Sequence, residues 1–397
     1  MKKYRKTILA ALIAAFMLTG CGLSPSASAG MVLTAAAAEN PAAAGAESSV
    51  TERDASGDYD AETAVSLSPE DELTVTEAGV YILSGSYENK MVVIDAGEED
   101  KVQLVLNNAS ITNENGPAIY VRSADKVFIT AAEGTVNTIS DGTDYTLTEG
   151  ETALDAAVFS KDDLTVNGAG TLTINGNYKH AVVSKDDLVV TAKNLTVNAV
   201  KSGLNGKESV TLAEAAVSIT AGSDGIRSDE IVTVSGNSVE IDASEGIEGT
   251  YILLSGGEIT IRATDDGVNA SQKSSVYTAT VEITGGTITV TMGAGDTDGI
   301  DSNGNLIITG GTVNVTAGSA FDCDGSVTFT GGTVTVNGRQ VSEIPNQMMG
   351  GGMGGFGGRQ GGPGGQNGFG GGRGGQRDFG GEPGGPGSAG DAPSGHL

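Results

Sequence analysis

Apolar and polar residues alternate in short runs through the middle of the chain, as in Glu258-Ile259-Thr260-Ile261, Thr287-Ile288-Thr289-Val290, Thr312-Val313-Asn314-Val315 and Thr333-Val334-Thr335-Val336. A period of two over four to six β-branched residues predicts strands with one face in a core. Each run follows a Gly-Gly pair, a turn signal. A second apolar position, just after a turn Gly or Ala, recurs at Val158, Val182, Leu204, Ile226, Ile247, Val268, Ile300 and Phe321, with steps of 24, 22, 22, 21, 21, 32 and 21 residues. Short strands repeating near every 22 residues without helical patterning predict an all-β, right-handed, single-stranded parallel β-helix, one coil per repeat. Leucine-rich repeats share the period but need regular leucines, which are absent. The long step before Ile300 predicts a loop inserted over residues 272–279.

Aligned coils should stack equivalent residues about 4.8 Å apart. Two residues beyond each anchor lie Ser160, Ser184, Gly206, Ser228, Gly249, Ala270, Ser302 and Cys323, a column of small residues suited to a narrow interior corner. Cys323 is read as a buried packing residue in that column.

One residue beyond the anchor, the outward positions are Asn205, Arg227, Glu248, Asn269, Asp301 and Asp322, and two before it are Ser202, Asp224, Glu245, Asp266, Asp298 and Ser319. Carboxylates stacked at strand spacing repel one another unless a cation sits between them. Calcium accepts six to eight carboxylate, amide and carbonyl oxygens at about 2.3–2.6 Å, so it is the expected cofactor. Its candidate ligands are Asp224, Glu245, Glu248, Asp265, Asp266, Asp298, Asp301, Asp322 and Asp324. Turn formation alone accounts for each Asp-Gly or Glu-Gly pair, but not for the further acids at Asp265, Asp296, Asp301, Asp322 and Asp324. Zinc and copper are disfavoured, because only His180, His396 and Cys323 offer soft or imidazole donors beyond the leader. The repeated phrase Ser160-Lys161-Asp162-Asp163-Leu164 and Ser184-Lys185-Asp186-Asp187-Leu188 is read as a charge-neutralised turn.

The ends differ in composition. A basic start and the apolar run 7–18 lead to Leu18-Thr19-Gly20-Cys21, which resembles a lipoprotein lipobox and makes Cys21 the expected lipidation site. Cleavage after Ala27-Ser28-Ala29 is the alternative, and both place the protein outside the cytoplasm. The expected organisation is a signal at 1–21, an Ala/Ser-rich spacer at 22–58, the β-helix at 59–345 and a disordered Gly-rich tail at 346–397.

The formal charge is −28, and −32 without the leader's Lys2, Lys3, Arg5 and Lys6. That excess argues against a nucleic-acid partner and for neutralising cations. A lipidated Cys21 leaves only Cys323, so no intramolecular disulfide is available.

The segments Gly79-Val80-Tyr81-Ile82-Leu83-Ser84-Gly85 and Ala118-Ile119-Tyr120-Val121, the paired Ser-Lys-Asp-Asp-Leu phrases and the Asp-Gly-Ile turns resemble the clostridial carbohydrate-binding β-helix proteins. The resemblance runs from about Leu73 to Val336. It implies the parallel β-helix, calcium, and binding of cellulose and acidic pectic polymers. The chain departs from the pattern at Ser319-Ala320, which replaces Asp-Gly, and in the early coils, where the outward column reads Tyr120, Phe159 and Val183.

A polysaccharide-binding, non-catalytic, cell-surface monomer is therefore the expected reading. There is no tryptophan to make a flat platform for crystalline cellulose. Tyr120 and Phe159 are candidates to stack a sugar face, with packing beneath the 134–151 excursion as the alternative, and Arg227 is a candidate contact. An acidic polymer requires calcium to bridge like charges. The rivals are a calcium-dependent polysaccharide lyase, with Arg227 or Lys201 as base, and a structural adhesin. Neighbouring carboxylates would keep such a base protonated, and the acids are too many to define a glycosidase pair.

Overall fold

The computed structural model describes residues 50–71, 73–146, 153–294 and 297–345. The signal with Cys21, residues 22–49 of the spacer, Asp296 and the Gly-rich tail from 346 lie outside the described residues.

The described chain is a parallel β-solenoid. Each coil contributes three strands, as in Asp224–Ser228, Ile231–Ser235 and Ser238–Ala243. The first strand of each coil joins an eleven-stranded sheet, the first face, running from Thr74–Val75 to Ser319–Cys323. The second and third strands build the other two faces, which merge into one twenty-two-stranded sheet because Lys101–Asn113 runs through both. Every pairing is parallel except the last, where Arg339–Val341 folds back on Thr333–Val336. That hairpin protects the terminal edge from pairing with another chain.

The predicted anchors Val158, Val182, Leu204, Ile226, Ile247, Val268, Ile300 and Phe321 stack coil for coil, and Ile119 adds one more before them. All are fully buried in one continuous core. Ser160, Ser184, Ser228, Ala270, Ser302 and Cys323 are fully buried beside them. Burial raises the Cys323 thiol above its ordinary pKa, and the thiol lies 3.2 Å from the Gly304 carbonyl, so it packs rather than reacts. The loop inserted between Val268–Ala270 and Thr280–Ile283 is where the long step placed it.

Of the glycines of the Asp-Gly and Glu-Gly pairs, Gly225, Gly246 and Gly299 sit in extended strands of the first face and Gly267 immediately precedes the strand Val268–Ala270. A Cβ on Gly225 would lie 2.8 Å from the Gly246 carbonyl oxygen, one on Gly246 2.3 Å from that of Gly267, and one on Gly267 2.4 Å from that of Gly299. Glycine is required because successive coils approach too closely for any side chain there. Ala320 ends the column in the last strand of the face.

The spacer assignment fails at its end, since residues 52–56 form a short helix. Thr51 and Asp54 make a capping box and Gly57 closes the helix in the left-handed conformation. Asp54 is fully buried against the second face, where it accepts from Thr165 Oγ1 at 2.5 Å and pairs with Lys126 Nζ at 2.8 Å. Arg53 caps the Phe128 ring at 4.5 Å. These contacts outweigh one helical turn's poor intrinsic stability.

Candidate functional site

The first face carries one outward column whose register is Val93, Tyr120, Phe159, Val183, Asn205, Arg227, Glu248, Asn269, Asp301 and Asp322. Its early half is covered. Tyr120 and Phe159 are at most 1% exposed and pack edge to face, 6.2 Å apart, under Leu154, Ala156 and Tyr145. The sugar-stacking assignment of Tyr120 and Phe159 is therefore wrong: the chain after the excursion returns over the rings and leaves no free face.

The late half is polar. Asp224 and Glu245 are register partners, and with Glu248 each brings a carboxylate oxygen within 4.8 Å of the others. Ser202 Oγ donates to Asp224 Oδ2 at 2.7 Å. Arg227 Nη1 lies 3.1 Å from Glu248 Oε2 and 3.7 Å from Asp224 Oδ2. Lys273, from the inserted loop, pairs with the other oxygen of Glu248. Burial, then the charges of Glu248 and Asp224, push the Glu245 carboxyl up to about 7.

The next coils hold acids without such cations. Asn269 Nδ2 lies 3.3 Å from Glu245 Oε2 and 3.3 Å from Asp266 Oδ2, joining the two groups. Burial, then Asp266, Asp298, Asp322 and Asp324, raise Asp301 to about 7. Asp266 rises to about 6, chiefly by burial, against the lowering hydrogen bond from the Asp298 N–H. Among the described residues, no lysine or arginine forms an ion pair with Asp266, Asp298, Asp301, Asp322 or Asp324. Buried oxygens without a hydrogen-bond partner mark the same strip: Asn269 Oδ1, Ser271 Oγ, Thr297 Oγ1 and Asp322 Oδ1. Such atoms are costly in a dry interior and ordinary around a bound cation.

The structure thus brings together Asp224, Glu245 and Glu248 tightly, and strings Asp266, Asp298, Asp301, Asp322 and Asp324 along the following coils. Asp265 and Asp324 are exposed at the margin. Two ligands on opposite sides of calcium are about 5 Å apart, so the 4.8 Å triad has a suitable spread, although Arg227 and Lys273 already neutralise part of it. The following coils have the opposite balance, looser spacing and uncompensated charge.

Sequence reasoning missed Lys273, because its pairing depends on how an irregular loop folds back. It also missed that Asp163, Asp186 and Asp187 bring oxygens within 4.8 Å of one another. Their signal was the repeated Ser-Lys-Asp-Asp-Leu phrase. Ser209 Oγ donates to Asp187 Oδ1 at 2.7 Å there, and burial, then Asp187 and Asp186, raise Asp163 to about 6.

Residues 69–340 match the model of a family described as carbohydrate-binding domain-containing proteins. The chain belongs to the carbohydrate-binding domain-containing family. A member of that description from Acetivibrio thermocellus is 31% identical over 131 residues, 33% of this chain and 46% of that protein. The match thus spans about half the length of that carbohydrate-binding domain-containing relative. A solved structure described as the polysaccharide lyase-like protein from C. thermocellum, gadolinium derivative, is 28% identical, covering 65% of this chain and 88% of that chain with a TM-score of 0.45.

Proposed function

We propose that the chain is a non-catalytic, calcium-dependent binder of acidic polysaccharide, exported and held at the cell surface through a lipidated Cys21. Membership in the carbohydrate-binding family supports the ligand class. The observation that carries the metal is the acidic half of the first face, where buried carboxylates with raised pKa values lie beside oxygens lacking donors. Asp224, Glu245 and Glu248 would hold one calcium, with Asp266, Asp301 and Asp322 as the further donor set. A bound divalent ion supplies positive charge that both relieves repulsion between coils and accepts a carboxylate from the polymer.

The non-catalytic reading rests on the base. An eliminating base must be neutral while it takes the proton. Arg227 instead sits between Asp224 and Glu248, with its guanidinium engaged in ion pairs to both.

The test is retention on polygalacturonate in calcium and in chelator, while absorbance of unsaturated product is followed. The expected result is retention in calcium, much weaker retention in chelator and flat absorbance. Retention unchanged by chelator would remove the metal from the reading, and rising absorbance would make the protein a lyase.

A further inference from the structure

The acidic half of the first face is preceded, on the same side of the solenoid, by a row of cations. Three residues beyond the anchors come Arg122, Lys161, Lys185 and Lys207, in four successive coils. The row is held by backbone bonds: Lys161 N–H donates to Val121 O at 3.0 Å, Lys185 N–H to Ser160 O at 2.9 Å and Lys207 N–H to Ser184 O at 3.0 Å. Beyond it the same column continues as Asp229, Thr250, Ser271, Asn303 and Asp324. In a chain of formal charge −28, four consecutive cations at strand spacing are not a consequence of composition.

Local neutralisation does not account for them. Arg122 is paired with Asp95 at 2.9 Å. Among the described residues, however, no carboxylate forms an ion pair with Lys161, Lys185 or Lys207, all three of which are exposed. The adjacent acids turn elsewhere: Asp162 Oδ2 accepts from the Ala124 N–H at 3.1 Å, and Asp187 Oδ1 from Ser209 Oγ. The ammonium groups of Lys161 and Lys185 instead stand over the buried Tyr120 and Phe159 rings at 5.4 and 5.1 Å. Those rings form a floor that positions the lysines without discharging them.

Lys185 and Lys207 also line an open cleft of about 570 Å³ with His180, Asn205 and Arg227, where Asp229 is the one acid. Arg227 belongs both to this cleft and to the Asp224–Glu248 group, so the cationic and acidic stretches meet at that side chain. No Phe, Tyr or Trp lines the cleft, so it lacks the large platform on which nucleobases stack best.

We propose that Lys161, Lys185 and Lys207, with the Asn205 and Arg227 cleft, form a subsite that binds the carboxylates of a uronate-type polysaccharide directly, without metal. Resting on the acidic-polymer reading above, it gives the polymer a path along the solenoid axis. One stretch meets fixed ammonium groups and the next meets protein-bound calcium.

The test uses the full chain and the triple variant Lys161→Gln, Lys185→Gln, Lys207→Gln, with polygalacturonate, its fully methyl-esterified form and single-stranded DNA as probes, each in calcium and in chelator. The variant is expected to bind polygalacturonate about tenfold more weakly in calcium, the sum of three exposed charge contacts. It should lose what binding remains in chelator and keep the wild-type thermal shift on adding calcium. The esterified polymer should bind both proteins equally. Unchanged polygalacturonate affinity in the variant overturns the subsite, as does a wild-type preference for DNA that the variant loses. Wild-type binding that ignores chelator while the variant still weakens would sustain the subsite and sink the calcium reading. Absence of wild-type binding in either condition would end both.

Discussion

Arg227 and Glu248 are register partners on adjacent coils, and the guanidinium reaches the carboxylate at 3.1 Å while Lys273 holds the other oxygen. Glu248 is 6% exposed. Truncating either cation leaves a buried charge short of a partner, a loss typically larger than the net worth of the pair. Lys273→Ala should lower stability by about 1–2 kcal/mol in chelator. Calcium should recover part of that loss, because the freed Glu248 oxygen becomes a ligand. Urea denaturation in both conditions measures it, and identical losses would argue that Glu248 never meets metal.

The raised carboxyls set a pH dependence. Glu245 and Asp301 stand near 7 and Asp266 near 6 in the folded chain, above their ordinary values. The folded state therefore binds more protons than the unfolded one, and metal-free stability should fall as pH rises from about 4.5 through 7. Calcium should flatten that slope by replacing the protons. Melting temperatures against pH, with and without chelator, provide the check.

Asp301→Asn removes one of five clustered acids. In chelator it should stabilise the protein by about 1 kcal/mol at pH 8, an estimate discounted for the partial exposure of the site. The same change should diminish the thermal shift produced by calcium. A variant stabilised in chelator that kept the full shift would locate the metal elsewhere, at Asp224, Glu245 and Glu248.

Gly246→Ala places a methyl group 2.3 Å from the Gly267 carbonyl oxygen and 2.4 Å from Ile261 Cγ2. Forcing the coils apart should cost about 2–3 kcal/mol. Ala320→Gly, at the end of the column, should change stability by well under that, so chemical denaturation of the two variants separates a stacking requirement from a turn requirement.

Asp54→Asn keeps the shape of the side chain but strips Lys126 of its counter-charge in a site where Asp54 is fully buried. The expected loss is about 3 kcal/mol. It should register as faster proteolysis within 50–58 before global unfolding, because the helix is joined to the second face through few side chains.

The coil stack was legible because the solenoid writes its geometry at a fixed sequence step. Val158 through Phe321, the small column down to Cys323, and the outward set from Asn205 to Asp322 all follow from one alignment. Tyr120 and Phe159 were misread because an outward position predicts exposure only where nothing returns over it, and Leu154 does return. Lys161 and Lys185 lay within the repeated Ser-Lys-Asp-Asp-Leu phrase, and Lys207 at the equivalent place in Gly206-Lys207-Glu208, yet a lysine followed by acids resembles a neutral turn until Asp162 and Asp187 are seen facing backbone and hydroxyl donors. Asp54 carried no signal, since one helical turn has no periodicity and its partners Lys126 and Thr165 are distant in sequence.

The column of glycines fixes more than packing. With carbonyl oxygens of one coil against the Cα atoms of the next, the pitch of the first face is a ruler marked by main-chain hydrogen bonds. Repulsion among its acids cannot stretch it, and neither can attraction to a ligand. A polymer whose charged groups repeat at a commensurate interval can engage several coils at once, whereas one with another repeat falls out of step after a few. If this face is where the polymer docks, as proposed above, its selectivity is set by the backbone, and side-chain substitutions should change how strongly it grips rather than which periodicity it accepts.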